Sequence, residues 1–266
     1  MHLIDGKTLA EEIRTKLKQE IEAKHLSPCL AILLVGEDPA SHLYVGLKRK
    51  AAEQIGVQGD IHHLPPETPD QTLIDLVRTW NQDERIHGIL IQVPLPPAHN
   101  EEKILSSINP KKDADGFHPD QTSLIPPVHE GILRLISEAP FSLNGMSTVI
   151  IVNSQTFALP LERLLKLAGA SVTVLLPDEL EQGRLAEAEL IVIAIGRLFF
   201  LHSSMTPTAK IIIDVGTNKT SAGLVRGDVD IQSYEKKEVW ITPVPGGVGP
   251  MTIAHLLKNV VQLAEK

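Results

Sequence analysis

Tyr44 and Lys48 stand four residues apart in a segment that Ser41 can cap and Gly56 can end, so Ser41 to Ile55 is expected to be a helix. That spacing puts ring and amine on one face, with Ser41 a turn earlier. A phenol ring can stack on a flat heterocycle. An ammonium depressed in pKa by burial can give or take a proton near neutral pH. Taken alone, such a pair is also ordinary surface decoration. Gln92 changes the weighing: a carboxamide inside the apolar run Ile89-Leu90-Ile91-Gln92-Val93-Pro94 must find a hydrogen-bond partner. Asp113-Ala114-Asp115-Gly116-Phe117 sets two carboxylates beside Lys111 and Lys112, either as a solvated turn or as a grip on paired ring N–H donors. In Thr242-Pro243-Val244-Pro245-Gly246-Gly247-Val248-Gly249-Pro250, adjacent glycines let backbone pass close to a ligand, unless the loop is only a connector.

Other chemistries find no support. Histidines 62, 63, 87, 99 and 118 lack the spacing of a helix-borne metal motif, so no metal site is expected. There is no Gly-x-Ser-x-Gly elbow and no Walker phosphate loop. The single cysteine, Cys29, lies in an apolar run and reads as a buried strand thiol.

The elements that must position these residues alternate. Leu9, Ile13, Leu17 and Ile21 recur at spacing four, the stripe of an amphipathic helix over 8–24. Cys29 to Val35 is a continuous apolar run, as in a strand covered on both faces. After the Tyr44 helix come a short strand over 59–64, a helix over 70–81 and a buried strand from Gly88 stopped by Pro94. A loop-rich stretch, 94–127, marks a boundary. Beyond it follow a helix at 130–136, a strand at 148–152, a helix at 161–168, and strands at 171–176, 190–195 and 210–215, with a last helix over 252–263. The reading is α/β, with an N-terminal α/β catalytic domain over 1–121 and a Rossmann-like parallel-sheet domain over 122–249. A C-terminal helix, 250–266, packs back on the first domain. Ligands of such sheets bind beyond the strands' carboxyl ends, so the loops after Val152, Leu176, Gly196 and Gly216 face a ligand.

A net charge of -8, aromatics at 3% and no basic cluster beyond pairs argue against nucleic acid and for small-molecule partners. Asp5 interrupts the first apolar run, unlike a secretory signal, and no run approaches the ~20 residues of a membrane span. A cytoplasmic protein is expected.

Four separated motifs closely resemble the methylenetetrahydrofolate dehydrogenase/methenyltetrahydrofolate cyclohydrolase family: Ser41-x-x-Tyr44-Val45-x-x-Lys48-x-Lys50, Gly88 to Pro96, Lys112-Asp113-Ala114-Asp115-Gly116-Phe117-His118-Pro119, and Thr242 to Thr252. The resemblance spans nearly the whole chain. It implies a folate cleft between the domains and a homodimer. Tyr44 would stack on the pterin, and Lys48 would act as acid/base in the cyclohydrolase step, tuned by Gln92. Asp115 would anchor the pterin, with Pro245, Gly246 and Gly247 beside the folate. Asn153, Ser154, Gln155, Gly196 and Thr217 would fall where the family binds NADP or NAD.

The chain departs from the pattern there. Gly-Arg-Ser-x-x-Val-Gly-x-Pro becomes Val152-Asn153-Ser154-Gln155-Thr156-Phe157-Ala158-Leu159-Pro160. Two glycines gain a Cβ where backbone should approach pyrophosphate, and a cationic donor is lost. Leu175-Leu176-Pro177-Asp178 and Pro126-Pro127-Val128-His129-Glu130-Gly131 drop further polar partners, whereas Ala194-Ile195-Gly196, Asp214 to Asn218 and Gly227 to Asp230 keep the family form. Cyclohydrolase activity is therefore expected, with hydride transfer weakened, changed in cofactor preference or absent. The alternatives are a fully bifunctional enzyme with a remodelled loop and a non-catalytic folate-binding paralogue.

Overall fold

The computed structural model describes every residue except Pro119, Thr122, Glu181, Gln182 and Lys266. Pro119 of the third motif, the expected boundary residue Thr122 and the last residue of the expected 250–266 helix thus lie outside the described residues. In chain order the elements are β1 (His2–Leu3), α1 (Gly6–Ala23), β2 (Cys29–Val35), α2 (Pro39–Ile55), β3 (Gln58–Leu64), α3 (Asp70–Gln82), β4 (Gly88–Ile91) and α4 (Glu101–Leu105). There follow α5 (Pro127–Ile136), β5 (Ser147–Val152), α6 (Gln155–Leu167), β6 (Ser171–Leu175), β7 (Leu190–Ala194), β8 (Ile211–Asp214), β9 (Asn218–Lys219), β10 (Val225–Arg226), β11 (Trp240–Ile241) and α7 (Val248–Ala264). The chain divides into two compact units, one comprising Ala10–Pro127 with the stretch from Ile253 onward, the other Met1–Leu9 with Val128–Thr252.

In the first unit a parallel sheet runs in the order β3-β2-β4, with Leu30 opposite both Gly59 and Gly88. Every residue of β2 is buried, and the period of two sorts them. Leu30, Ile32 and Leu34 pack with α1, α2 and α7, while Cys29, Ala31, Leu33 and Val35 pack with α3 and α4. From α7, Ile253, Leu256, Leu257, Val260 and Val261 enter the first of these clusters. A Cβ on Gly88 would stand 3.0 Å from Val260 Cγ2 and 3.2 Å from Ala114 Cβ, so glycine lets helix and loop close on β4.

The second unit holds a sheet in the order β1-β11-β8-β7-β5-β6, parallel throughout, and a separate β9-β10 hairpin. From β5 the chain steps to β6 on one side and then to β7 on the other, so the β5/β7 boundary is the point at which such sheets take ligands. Three expectations need correction. Met1–Leu9 falls in the second unit, not the first, because β1 pairs His2 with Trp240 and Leu3 with Ile241. Helix α6 starts at Gln155 rather than Leu161, capped by Ser154, and carries Pro160 inside it. Helix α7 starts at Val248, so Pro250 is helical: it occupies the first turn, whose N–H groups have no intrahelical acceptor to lose.

No helix among the described residues is long and apolar enough to cross a membrane.

Candidate active site

Helix α2 is fixed at both ends. Asp38 accepts from Ser41 N at 2.8 Å, Pro39 opens the helix, and Gly56 closes it in the left-handed conformation at φ 88°. The buried stripe Ser41, Val45, Lys48, Ala52 and Ile55 is the helix's inner face, so an amine is carried into apolar surroundings. Tyr44 is half-buried one turn earlier. Lys48 Nζ donates to Gln92 Oε1 at 2.9 Å. Burial holds the Lys48 amine below the usual lysine range, with the negative charge of Asp115 acting the other way.

Gln92 was expected inside a buried strand. It lies one residue past β4 and is half-buried, with its backbone N–H still bonded to Leu33 O at 2.8 Å. The side chain is thus registered by the sheet yet free of its packing. Its amide nitrogen donates to Val93 O at 2.7 Å, which leaves Oε1 turned to the lysine.

The two carboxylates of the Asp113–Phe117 loop divide the work. Asp113 is buried and accepts from Asp115 N at 3.2 Å and His118 N at 2.8 Å, so it organises the turn. From α7, Asn259 Nδ2 donates to Ala114 O at 3.0 Å and Ile125 O at 3.1 Å, tying the loop down. Asp115 and Lys48 are near enough for each charge to act on the other. Burial lifts the Asp115 carboxyl to about 6, with Lys48 pulling it back and Asp113 adding to the rise. The first unit thus assembles a neutralisable amine, an amide that orients it and a carboxyl able to hold or release a proton near neutral pH.

Pro245, Gly246, Gly247, Asn153, Ser154, Gln155, Gly196 and Thr217 belong to the second unit. Gly246 adopts φ 113°, and a Cβ on Gly247 would stand 2.7 Å from the Pro243 carbonyl oxygen, so this turn requires its glycines. Asn153, Gly196 and Thr217 follow β5, β7 and β8, which are neighbours in the sheet, at its carboxyl edge. Asn153 Nδ2 donates to Ile195 O at 2.8 Å, across the ligand-taking boundary. Asn153, Ser154 and Gln155 are exposed, and the Ser154 hydroxyl accepts from Thr156 N at 3.2 Å. Behind this edge, Asp228 accepts from Ile195 N, Gly196 N, Arg197 N and Asn218 Nδ2, at 2.7, 3.1, 2.8 and 2.9 Å.

The steric objection drawn from Val152 and Ala158 is not what the structure shows. Each is only 1% exposed, so both side chains point into the core of the unit rather than out toward a diphosphate. From Ser147 to Leu161 the sequence has no lysine or arginine. The first-turn N–H groups of α6 and the cap at Ser154 suit a dinucleotide's diphosphate.

One grouping escaped linear spacing. Glu37, His42 and His63 bring a carboxylate and two imidazoles together, with ligating atoms all within 4.8 Å of one another. They come from a loop, a helix and a strand, so no motif on one element announces them.

Residues 4–115 match the tetrahydrofolate dehydrogenase/cyclohydrolase catalytic domain, and residues 126–266 match the NAD(P)-binding domain of the same family. The bifunctional protein FolD of Campylobacter jejuni is 40% identical, over all of this chain and 99% of the relative, and that of Methanosarcina barkeri is 39% identical over 99% and 96%. A Campylobacter jejuni FolD crystal structure superposes with a TM-score of 0.93 at 39% identity, covering 100% of this chain and 99% of that one. A Trypanosoma brucei FolD complexed with NADP cofactor and inhibitor superposes at 0.90 and 29% identity, covering 99% and 97%.

Proposed function

Since the chain belongs to the tetrahydrofolate dehydrogenase/cyclohydrolase family, we propose that its principal reaction is hydrolysis of 5,10-methenyltetrahydrofolate to 10-formyltetrahydrofolate, with Lys48 moving the proton. The single observation that carries this reading is the buried Lys48 amine bonded to Gln92 beside Asp115. Water adds through its oxygen to the bridging methenyl carbon, and the free amine of Lys48 takes the proton released. The bond from that carbon to N5 then breaks, N5 takes the proton back from Lys48, the hydroxyl gives up its own proton to solvent as it becomes a carbonyl, and the carbon remains on N10 as a formyl group. Gln92 orients the amine without charging it. Tyr44 stacks on the pterin and Asp115 accepts from its N–H donors.

Gln92→Glu tests the tuning. An anion in place of the amide favours the charged lysine, so the rate–pH profile of hydrolysis should move to higher pH by about 1–3 units. An unmoved profile would remove Gln92 from the role.

Bound NAD(P) supplies a hydride acceptor for the dehydrogenase step. Asn153, Ser154, Gln155, Gly196 and Thr217 are the residues of this chain that would hold it, and the lack of a lysine or arginine between Ser147 and Leu161 would weaken that hold. Asn153→Arg should therefore tighten NADP about tenfold to a hundredfold in a calorimetric titration, the worth of one charge-assisted hydrogen bond. No gain would show that the loop's charge is not limiting. Full bifunctionality is the second reading, favoured by the inward burial of Val152 and Ala158. The two separate in one spectrophotometric experiment on the purified protein. Methenyltetrahydrofolate consumption tests hydrolysis, and growth of reduced-cofactor absorbance on adding methylenetetrahydrofolate with NADP or NAD tests hydride transfer. The protein is proposed to work in the cytoplasm as a homodimer.

A further inference from the structure

Glu37, His42 and His63 lie in the first unit, outside the Lys48 site, and three locked segments present them. Glu37 sits between Gly36, whose N–H bonds to Leu64 O at 2.9 Å, and Asp38, the cap of α2. His42 lies in the first turn of α2, its N–H on Asp38 O at 3.1 Å. His63 is on β3, in register with Leu34 of β2. Both imidazoles turn the same atom to one carboxylate: His42 Nε2 is 3.2 Å from Glu37 Oε2, and His63 Nε2 is 3.2 Å from Glu37 Oε1. The rings meet edge to face, with centroids 4.7 Å apart. Gly36, in the left-handed conformation at φ 83°, adds its carbonyl oxygen 3.0 Å from His63 Nε2.

Two features point beyond an ion pair. His42 Nε2 is shielded from solvent and, despite its nearness to Glu37, makes no hydrogen bond among the described residues. A buried imidazole nitrogen left without one is costly unless something else takes its lone pair. The two imidazole-to-carboxylate separations, 3.2 Å each, also suit a shared ion: donors ~2.0–2.1 Å from a tetrahedral cation lie ~3.3 Å from one another. Imidazole and carboxylate donors favour zinc-like transition metals over magnesium or calcium, which prefer all-oxygen shells.

We propose that Glu37, His42 and His63, with the Gly36 carbonyl or a water as fourth donor, form a divalent transition-metal site of the zinc class. It clamps the β2–α2 loop to β3, and it holds or fails independently of the folate reading. The test uses the full chain, stripped with chelator and titrated with Zn²⁺ calorimetrically and with Co²⁺ by visible absorption. One ion per chain and the intense spectrum of four-coordinate Co²⁺ are expected. His42→Ala and His63→Ala should each weaken Zn²⁺ more than about 100-fold, since loss of an outer partner alone costs about 10- to 100-fold. Because the three side chains are not part of the core, these variants should keep the wild-type circular dichroism. His62→Ala is the matched control and should bind as wild type, because His62 instead faces Asp60 at 3.1 Å and the edge of Trp80. Absence of saturable Zn²⁺ binding, or binding undiminished in both His42→Ala and His63→Ala, overturns the proposal and leaves the cluster a plain ion pair.

Discussion

Lys48→Ala should lower methenyltetrahydrofolate hydrolysis by about 10²- to 10⁴-fold, the usual worth of a positioned general acid/base, while folate still binds. Tyr44 and Asp115 remain in that variant, so the loss should appear in kcat rather than in KM. Lys48→Arg sharpens the test. A guanidinium keeps the positive charge but does not give up its proton at neutral pH, so it should be nearly as inactive as alanine if proton transfer is the role. Near-full activity of the arginine variant would reduce Lys48 to an electrostatic anchor. The pH dependence has two signs to check. Burial places the lysine below its ordinary range, so the free amine is gained, and the rate rises, as pH climbs through that lowered value. Burial lifts the Asp115 carboxyl to about 6; if it accepts the pterin's N–H donors as proposed, it loses the charge that does so below that pH and KM should rise on acidification.

How much of this was legible beforehand depended on whether the signal was local. The seven-residue run of β2 announced a strand covered on both faces, and the structure sorts it into two clusters on opposite sides. Asp38, Pro39 and Gly56 bracket α2 through hydrogen bonds within a few residues, so helix and cap could be read in place, and with them the shared face of Tyr44 and Lys48. The errors came where distant chain decides. Nothing in His2-Leu3 marks a strand until Trp240-Ile241 offers an edge to pair with. The expected helices began just past Pro160 and Pro250, at 161 and 252; Pro250 instead lies in a first turn where its missing N–H costs no helix bond, and α6 runs through Pro160. Gln92 sits one residue beyond its strand, because β4 ends at Ile91 although the apolar run continues. Val152 and Ala158 replace glycines without facing outward, a matter of side-chain direction that a motif comparison does not carry. The Glu37, His42 and His63 grouping depends on the β2/β3 register, which fixes where His63 emerges beside the loop.

Asp228→Ala should cost about 3 kcal/mol or more, enough to unfold the carboxyl edge of the second unit's sheet. Fully buried, the Asp228 carboxylate is the acceptor for three consecutive backbone N–H groups, at Ile195, Gly196 and Arg197, and for the Asn218 amide. Removing it strands those donors at about 1–3 kcal/mol each, against a total stability of about 5–15 kcal/mol for a typical domain. Chemical denaturation of the variant should show the loss, and hydrogen exchange should localise it to the Ile195–Arg197 amides. A midpoint within experimental error of wild type would refute the role. Asp214, one strand away, accepts from Gly216 N, Asp228 N and Val229 N at 2.9, 3.1 and 2.9 Å, yet burial and the nearby Asp228 charge lift its carboxyl to about 7. A folded-state value above the unfolded one means that this group's contribution is complete below about pH 4 and is lost as pH rises through about 7. Asp228→Asn removes the neighbouring anion, lowers the Asp214 value and should flatten that slope, while weakening the fold less than alanine does because the amide oxygen still accepts. Since the loops held by Asp228 carry Gly196 and run up to Thr217, both variants should lose affinity for the dinucleotide in step with the loss of local protection. A variant that lost protection and kept full NADP affinity would separate the scaffold from the cofactor site.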